Sequence, residues 1–430
     1  MTEILIRKGA AFGSTERWYV PVLAITAFGY PFYAALFAML GVSGGGLNLI
    51  IRAIEVVLLL AAIVMARPSF LGLLGPLAPL IAFFSIYAIR LIYDVLVLDV
   101  LMIYQTKMYV LGYFFGLTVL PALTLGLLYR DDHFSVLQRA FFVMILLGNF
   151  VVLAYALTGG ALNYAGLFAG RTEQMGALEG TATLGPISIG MLGALLCATI
   201  LGRLASGHRA NLSWWIASMA LLGVGLANIL FGASRGPALG LIAAVLALIL
   251  RTAFSRRRSE HGASFSRSIA AIALVAAGIF GIASAYEGSI FLFDRFVLLA
   301  SRGDLGLVED RDTLYSIALR DFLSSPLVGS SYVLSFDNAL PHNVVLEAMI
   351  AVGILGLPFF VWSGARFIVG VWRLLGGCNG SGGVAVGLCA VVLGTVGLSS
   401  SSISQSPDLW CFVAFTIMSA SRSGVWGWRR

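Results

Sequence analysis

Apolar runs of about 18 to 25 residues recur along the whole of this 430-residue chain, and they constrain its fold more than any other feature. Each is long enough to cross a hydrocarbon layer of ~30 Å as a helix. In lipid the backbone must satisfy its own polar groups, so a spanning segment of this kind is helical. Charged residues make up only 11% of the chain, far below the ~25% of an ordinary soluble domain. The sequence therefore predicts an all-α, polytopic membrane helix bundle, a single transmembrane domain over residues 1–430.

Setting the runs against their breakers gives about twelve spans. They fall near 18–40, 47–66, 71–97, 109–129, 134–157, 183–203, 212–232, 236–253, 268–286, 343–365, 384–399 and 408–421. The formal charge of +7 is almost entirely arginine, Lys8 and Lys107 being the only lysines. In a membrane protein such charge reports orientation before it suggests a nucleic-acid partner, and none is expected. Arg251, Arg256, Arg257, Arg258 and Arg267 share one short polar connection, which marks it as cytoplasmic. Alternating from there places Arg7, Lys8, Arg67, Arg130, Arg203, Arg209, Arg373, Arg422, Arg429 and Arg430 on the same side. Both termini are then expected inside, with the N-terminal polar stretch a cytoplasmic tail rather than a cleaved signal.

Two connections stand out on the opposite, outer face: 158–183, and 287–342, the longest polar stretch of the protein. The second carries an amphipathic pattern over 313–323, ended by Ser324-Ser325-Pro326.

Several chemistries lack support. No histidines or cysteines have metal-ligand spacing, and Gly44-Gly45-Gly46 is not followed by the Lys-Ser/Thr of a phosphate loop. Asp310-Arg311-Asp312 has the outline of a metal-binding pair, but the intervening guanidinium opposes a cation. Neither metal nor cofactor is expected.

Arginine is in excess where topology predicts little. Arg171, Arg235, Arg295, Arg302, Arg311 and Arg320 fall on or near the outer face, and Arg52 begins the second span there. Arg235 sits in Ala-Ser-Arg-Gly-Pro, a tight turn between two apolar helices. A guanidinium at the lip of a bundle binds phosphate or carboxylate in a bidentate way. Snorkelling to lipid head groups, or pairing with Glu287, Asp294, Asp304 or Asp310, is the plainer alternative for any one of them. Arg90 and Asp94 lie one turn apart inside the third span, either as a self-contained pair or as ligand contacts. His342, in Pro341-His342-Asn343, stands at the start of an apolar helix whose dipole favours neutral imidazole. A neutral imidazole is what a general base requires, although a capping or interfacial histidine would occupy the same place.

The segment PHNVVLEAMIAVGILGL resembles the His-Asn-x-x-Leu-Glu…Gly-x-x-Gly signature of the O-antigen ligase and O-antigen polymerase family. DRDTLYSIALRDFLSSPLVGSS is similar to the element that precedes it, SRGPALGL to the family's Ser-Arg-Gly turn, and GRTEQMGAL to its Arg-containing outer loop. The resemblance covers roughly residues 165–365. Two details depart from it: Leu-Val-Gly-Ser-Ser follows Pro326 where many members have Gly-x-Gly, and Tyr315 stands where Trp is more usual.

The resemblance implies a metal-independent, inverting glycosyltransferase of the bacterial inner membrane, GT-C-like in fold, with its site on the periplasmic face. It would move an oligosaccharide from undecaprenyl diphosphate to an acceptor glycan, either lipid-linked (a repeat-unit polymerase) or lipid A-core (a ligase). A chain-length regulator is a further partner of such polymerases. By the same resemblance Arg235 and Arg171 would bind the diphosphate, Arg311 would lie near the substrate and His342 would activate the acceptor hydroxyl. Arg90 is the fourth candidate substrate contact, on its position alone. A transporter or flippase of the same lipid-linked sugars is the alternative; it would need charges deep in the bundle and repeated halves. A transferase with an acidic base in its first outer loop is disfavoured, because 41–47 holds no carboxylate.

Overall fold

The computed structural model describes residues 18–41, 44–66, 75–102, 105–158, 186–206, 212–232, 234–254, 273, 309–336, 338–377 and 379–421. Twelve helices fall in this part. They are α1 (Tyr19–Met39), α2 (Gly44–Ala66), α3 (Ala78–Val97), α4 (Lys107–Leu128), α5 (Phe134–Thr158) and α6 (Pro186–Ala205). Then come α7 (Leu212–Gly232), α8 (Arg235–Phe254), α9 (Glu309–Ser324), α10 (Val344–Leu375), α11 (Gly380–Ser400) and α12 (Pro407–Ser421). There are no strands among the described residues. Ten of the helices are long and apolar enough to cross a membrane, so the chain is a multi-pass membrane helix bundle.

The count differs from twelve for two reasons. The span expected at 268–286 lies, apart from residue 273, outside the described residues. The one expected at 408–421 is α12, whose 15 residues reach only about 22 Å at 1.5 Å per residue. This last helix is the centre of the bundle rather than a wall: Leu409 through Ala420 are all buried. Its Trp410, Phe412 and Phe415 interlock with Phe28 of α1, Phe83 and Phe84 of α3, and Phe141 of α5 at ring separations of 5.2–6.0 Å. The opposite case is α2, where Leu49, Ile50, Ile54, Val57, Val64 and Met65 are exposed apolar side chains. On a membrane protein such a face meets hydrocarbon, where burial against other helices is not required.

Hydrogen bonds between distant segments mark the two ends of the bundle. At one, which we call the loop end, residues of 98–102, 105–106, 325–336, 338–343 and 401–406 meet: Tyr332 Oη donates to Val100 O (3.3 Å) and Gln405 Nε2 to Gln105 Oε1 (3.3 Å). At the opposite end Tyr19 Oη hydrogen-bonds His133 Nδ1 (2.6 Å), and Arg373 donates to Ala420 O (2.7 Å).

The amphipathic pattern expected over 313–323 is α9, which ends at Ser324 ahead of Pro326. Its buried Asp321 accepts from Ser335 N (2.8 Å) and Ser335 Oγ (2.7 Å), so the helix pins the chain that follows. That chain then docks into a break in α10. Gly353 has φ 56° and ψ −164°, which interrupts the helical ladder. The loop supplies the missing partners. Ser330 N and Ser331 N donate to Ile350 O (2.7 and 3.2 Å), while Ile354 N and Leu355 N donate to Pro326 O and Leu327 O (2.8 and 3.1 Å). A broken helix at membrane depth is tolerated only when its freed groups are satisfied in this way. Backbone approaches so closely there that a Cβ on Gly353 would lie 2.5 Å from Leu327 O, and one on Gly329 (φ 81°) 2.5 Å from Ile350 O. Only glycine fits either place.

Candidate functional site

The last turn of α11 is where distant parts of the sequence meet. Asn343 caps α10, its Oδ1 accepting from Val345 N (2.9 Å) and Leu346 N (3.3 Å). Its Nδ2 donates to Leu398 O of α11 at 2.8 Å. His342 is the residue just before this cap. It is exposed and held at φ 52°, a left-handed conformation uncommon for residues other than glycine. Such strain gathers at functional sites and persists only where the surroundings fix it. Here Asn343 fixes it: capping belongs to the asparagine, and His342 is exposed.

Arg235 opens α8 after the two-residue gap that follows α7. Its neighbour Gly236 is buried against α11: a Cβ there would sit 2.7 Å from Ser400 Oγ and 2.8 Å from Ser399 Oγ. The turn bearing Arg235 and the turn bearing His342 thus rest on consecutive residues, Leu398 to Ser400, of one helix end. They are 107 positions apart in sequence.

Arg90 is placed differently from a lone substrate contact. Its Nε donates to Asp94 Oδ2 (3.0 Å), its Nη2 pairs with Asp94 Oδ1 (2.9 Å), and Nη1 reaches Gly329 O (3.4 Å). Asp94 sits in the π-helical last turn of α3, Tyr93–Val97. Its Oδ2 also accepts from Tyr332 N (2.9 Å) and Ser331 Oγ (3.2 Å). The pair is therefore neither self-contained nor a free ligand contact. It fastens the 329–332 loop, and through it the approach to His342, to α3.

Arg171 and nearly all of the 158–183 connection lie outside the described residues, as do Arg295 and Arg302. Arg311 belongs to the first turn of α9, and its side chain is likewise outside what is described.

One residue in the signature segment has a larger part than its sequence position suggested. Glu347, fully buried in the first turn of α10, accepts from Tyr87 Oη (2.6 Å) on α3, Ser402 Oγ (3.2 Å) and Ile403 N (2.9 Å). It ties α3 and the 401–406 turn to the start of α10 and so sets where residue 342 stands. A carboxylate inside an apolar run is the signal that could have found it. No group of three or more potential metal-ligating side chains occurs among the described residues. No protein-family model matches the sequence, and no curated protein matches it.

Proposed function

We propose that this chain is a glycan transferase that moves an oligosaccharide from undecaprenyl diphosphate to an acceptor sugar at the periplasmic face of a bacterial inner membrane. The observation that carries the reading is the seating of the Arg235 and His342 turns on the same helix end, residues 398–400, at the end of the bundle that also gathers the loop after α9. In this reading the loop end is periplasmic and the arginine-bearing opposite end cytoplasmic, in keeping with the distribution of positive charge.

The chemistry is a single displacement. The acceptor hydroxyl gives its proton to the His342 imidazole as its oxygen forms the new bond at the anomeric carbon. The bond from that carbon to the diphosphate oxygen breaks, with inversion. Arg235, together with Arg171, neutralises the charge that collects on the departing diphosphate, so no strong general acid is required. Arg90, Asp94 and Glu347 position the loop and helix that present the base. Whether the acceptor is another lipid-linked glycan or lipid A-core divides polymerase from ligase.

The test is complementation of a glycan-deficient strain with the wild type and with His342→Ala, Arg235→Ala and Arg171→Ala, each checked for membrane level. Removing a general base costs roughly 10²–10⁴ in rate, so His342→Ala should abolish long glycan at normal protein level, and Arg235→Ala should do the same. Full glycan from both variants would overturn the mechanism. A ladder of glycan lengths lost from the host marks a polymerase; long glycan that persists on the lipid carrier but is absent from lipid A marks a ligase.

A further inference from the structure

The broken helix α10 carries a ruler for the layer it crosses. At the loop end Asn343 caps its first turn. Toward the other end Arg366 donates to Pro76 O (2.6 Å) and Gly75 O (3.1 Å), just ahead of α3, and its guanidinium stands 5.2 Å from the ring centre of Trp362. Tryptophan and arginine settle at the edge of the hydrocarbon. Val344 to Arg366 measures about 33 Å at 1.5 Å per residue, which matches a hydrocarbon layer of ~30 Å. Gly353 then falls about 14 Å below the start of the helix and about 20 Å above Arg366, inside that layer. The chain docked at the break shares its depth. Ile354 N donates to Pro326 O (2.8 Å) and Leu355 N to Leu327 O (3.1 Å), whereas Ser330 N and Ser331 N donate one turn higher, to Ile350 O. The segment therefore enters from the loop end and turns back: it is re-entrant.

Its side chains suit that depth. The helix α9, which leads into it, has three stripes. Ile317 and Ala318 pack with Leu314 and Phe322 against Leu346 and Ile350 of α10. Thr313, Ser316, Arg320 and Ser324 form an exposed polar stripe at helical spacing. Between these two lie Leu319 and Leu323, exposed and one turn apart. A helix with one face on protein, one apolar and one polar is built for a membrane interface. Past its end, Leu327 (63%) and Val328 (56%) are also exposed, beside the exposed Ile354 and Leu355 of α10. From Phe322 to Phe336 the chain carries no charged residue, and a charge at this depth would be costly.

We infer that residues 319–328 are a lipid-docking element: acyl chains of the loop-end leaflet cover Leu319, Leu323, Leu327 and Val328. Two observations select this occupant. The face lies at the level of a break inside the span, and it is continuous with Ile354 and Leu355, which belong to the apolar surface of the span itself. The contact has a consequence for the loop beyond it. Gly329 O accepts from Arg90 (3.4 Å) and Tyr332 N donates to Asp94 (2.9 Å), so the bilayer backs the clamp that fixes the approach to His342. The inference goes beyond the transferase reading and stands without it.

Spin labelling of the full-length protein tests this. Cys378→Ser gives the background, the other cysteines, Cys197, Cys389 and Cys411, being buried. A nitroxide is attached in turn at Leu323→Cys, Leu327→Cys and Val328→Cys, and at Ser316→Cys on the polar stripe. Val57→Cys on the exposed face of α2 is the hydrocarbon reference, and Asp99→Cys at the loop end is the water reference. In vesicles of palmitoyl-oleoyl phosphatidylcholine and phosphatidylglycerol, each label is exposed to oxygen, which concentrates in hydrocarbon, and to nickel ethylenediaminediacetate, which stays in water. The oxygen-to-nickel collision ratio at the three apolar sites should match that at Val57 and exceed those at Ser316 and Asp99 several-fold. A ratio at Leu327 and Val328 equal to that at Asp99 would mean water and overturn the inference. Low collision with both reagents would mean that protein covers the face, and spectral broadening that fades on dilution with unlabelled chain would mean a second copy; either result overturns it as well. The side chains replaced are exposed, so each label removes little packing, and three sites guard against the misfolding of one.

Discussion

The two ends of the bundle close themselves with charges of opposite sign. At the loop end, carboxylates take main-chain N–H groups: Asp94 from Tyr332 (2.9 Å), Asp321 from Ser335 (2.8 Å) and Glu347 from Ile403 (2.9 Å). At the other end, arginines give to main-chain carbonyls: Arg366 to Pro76 O (2.6 Å) and Gly75 O (3.1 Å), Arg373 to Ala420 O (2.7 Å). The burial differs as well. Asp94 and Glu347 are fully buried, whereas Arg366 and Arg373 are half-buried. A long side chain can snorkel toward water and still cap a helix end. A short carboxylate cannot, so it commits wholly to the polypeptide around it. The loop end is thereby built as a fixed platform, and the other as an adaptable closure.

Substitutions can break or sharpen this contrast. The largest effect is expected at the break in α10, because Gly353→Val places a branched side chain at φ 56° against Leu327 O. A loss of about 3 kcal/mol or more is expected, read as collapse of the monodisperse yield and of the thermal midpoint. A midpoint near wild type would show that the docked loop does not hold the break.

Next is Glu347→Ala, which strands Tyr87 Oη and Ile403 N without a partner, at a cost of about 3 kcal/mol. Glu347→Gln keeps an acceptor and should recover about half of it, in the same thermal assay. Arg373→Ala at the opposite end is expected to cost only about 1 kcal/mol, since water can reach the freed carbonyl. Equal losses from Glu347→Ala and Arg373→Ala would erase the distinction between the ends.

The smallest effect concerns pH. Burial pushes the Tyr332 phenol, outside the spans, up to about 12 from its ordinary 10.0. A raised folded pKa contributes stability that is complete below the unfolded value and is lost as pH climbs through the folded one. The thermal midpoint should therefore decline between about pH 10 and 12, and Tyr332→Phe should flatten that decline. An identical alkaline slope in the variant would assign it to other groups.

How much of this could be read from residues alone depended on distance along the chain. The ten long apolar helices, the amphipathic α9 and the stop at Ser324-Ser325-Pro326 were legible, because each follows from a local pattern of apolar residues and breakers. The placement of His342 ahead of an apolar helix was legible for the same reason. That Asn343 is the cap, and that Arg90 and Asp94 clasp a loop some 240 positions away, was not, since side-chain partners across the bundle leave no local trace. The 15-residue α12 looked like one more wall. Its burial on all sides comes from neighbours that its own composition does not mention.

The sequence by itself determined the class of molecule. Lipid cannot hydrogen-bond a backbone, so runs this long and this apolar have no outcome other than spanning helices. It also determined which residue types stand at the helix ends. Only the tertiary structure decided what those ends meet: the turns of Arg235 and His342 on one helix terminus, two carboxylates clamping a loop, and the buried Arg52 against Tyr30 and Tyr33 of α1. These depend on which helices pack together, and helix packing in a membrane is settled by close fit and scattered polar pairs rather than by any periodicity that a single strand of sequence displays.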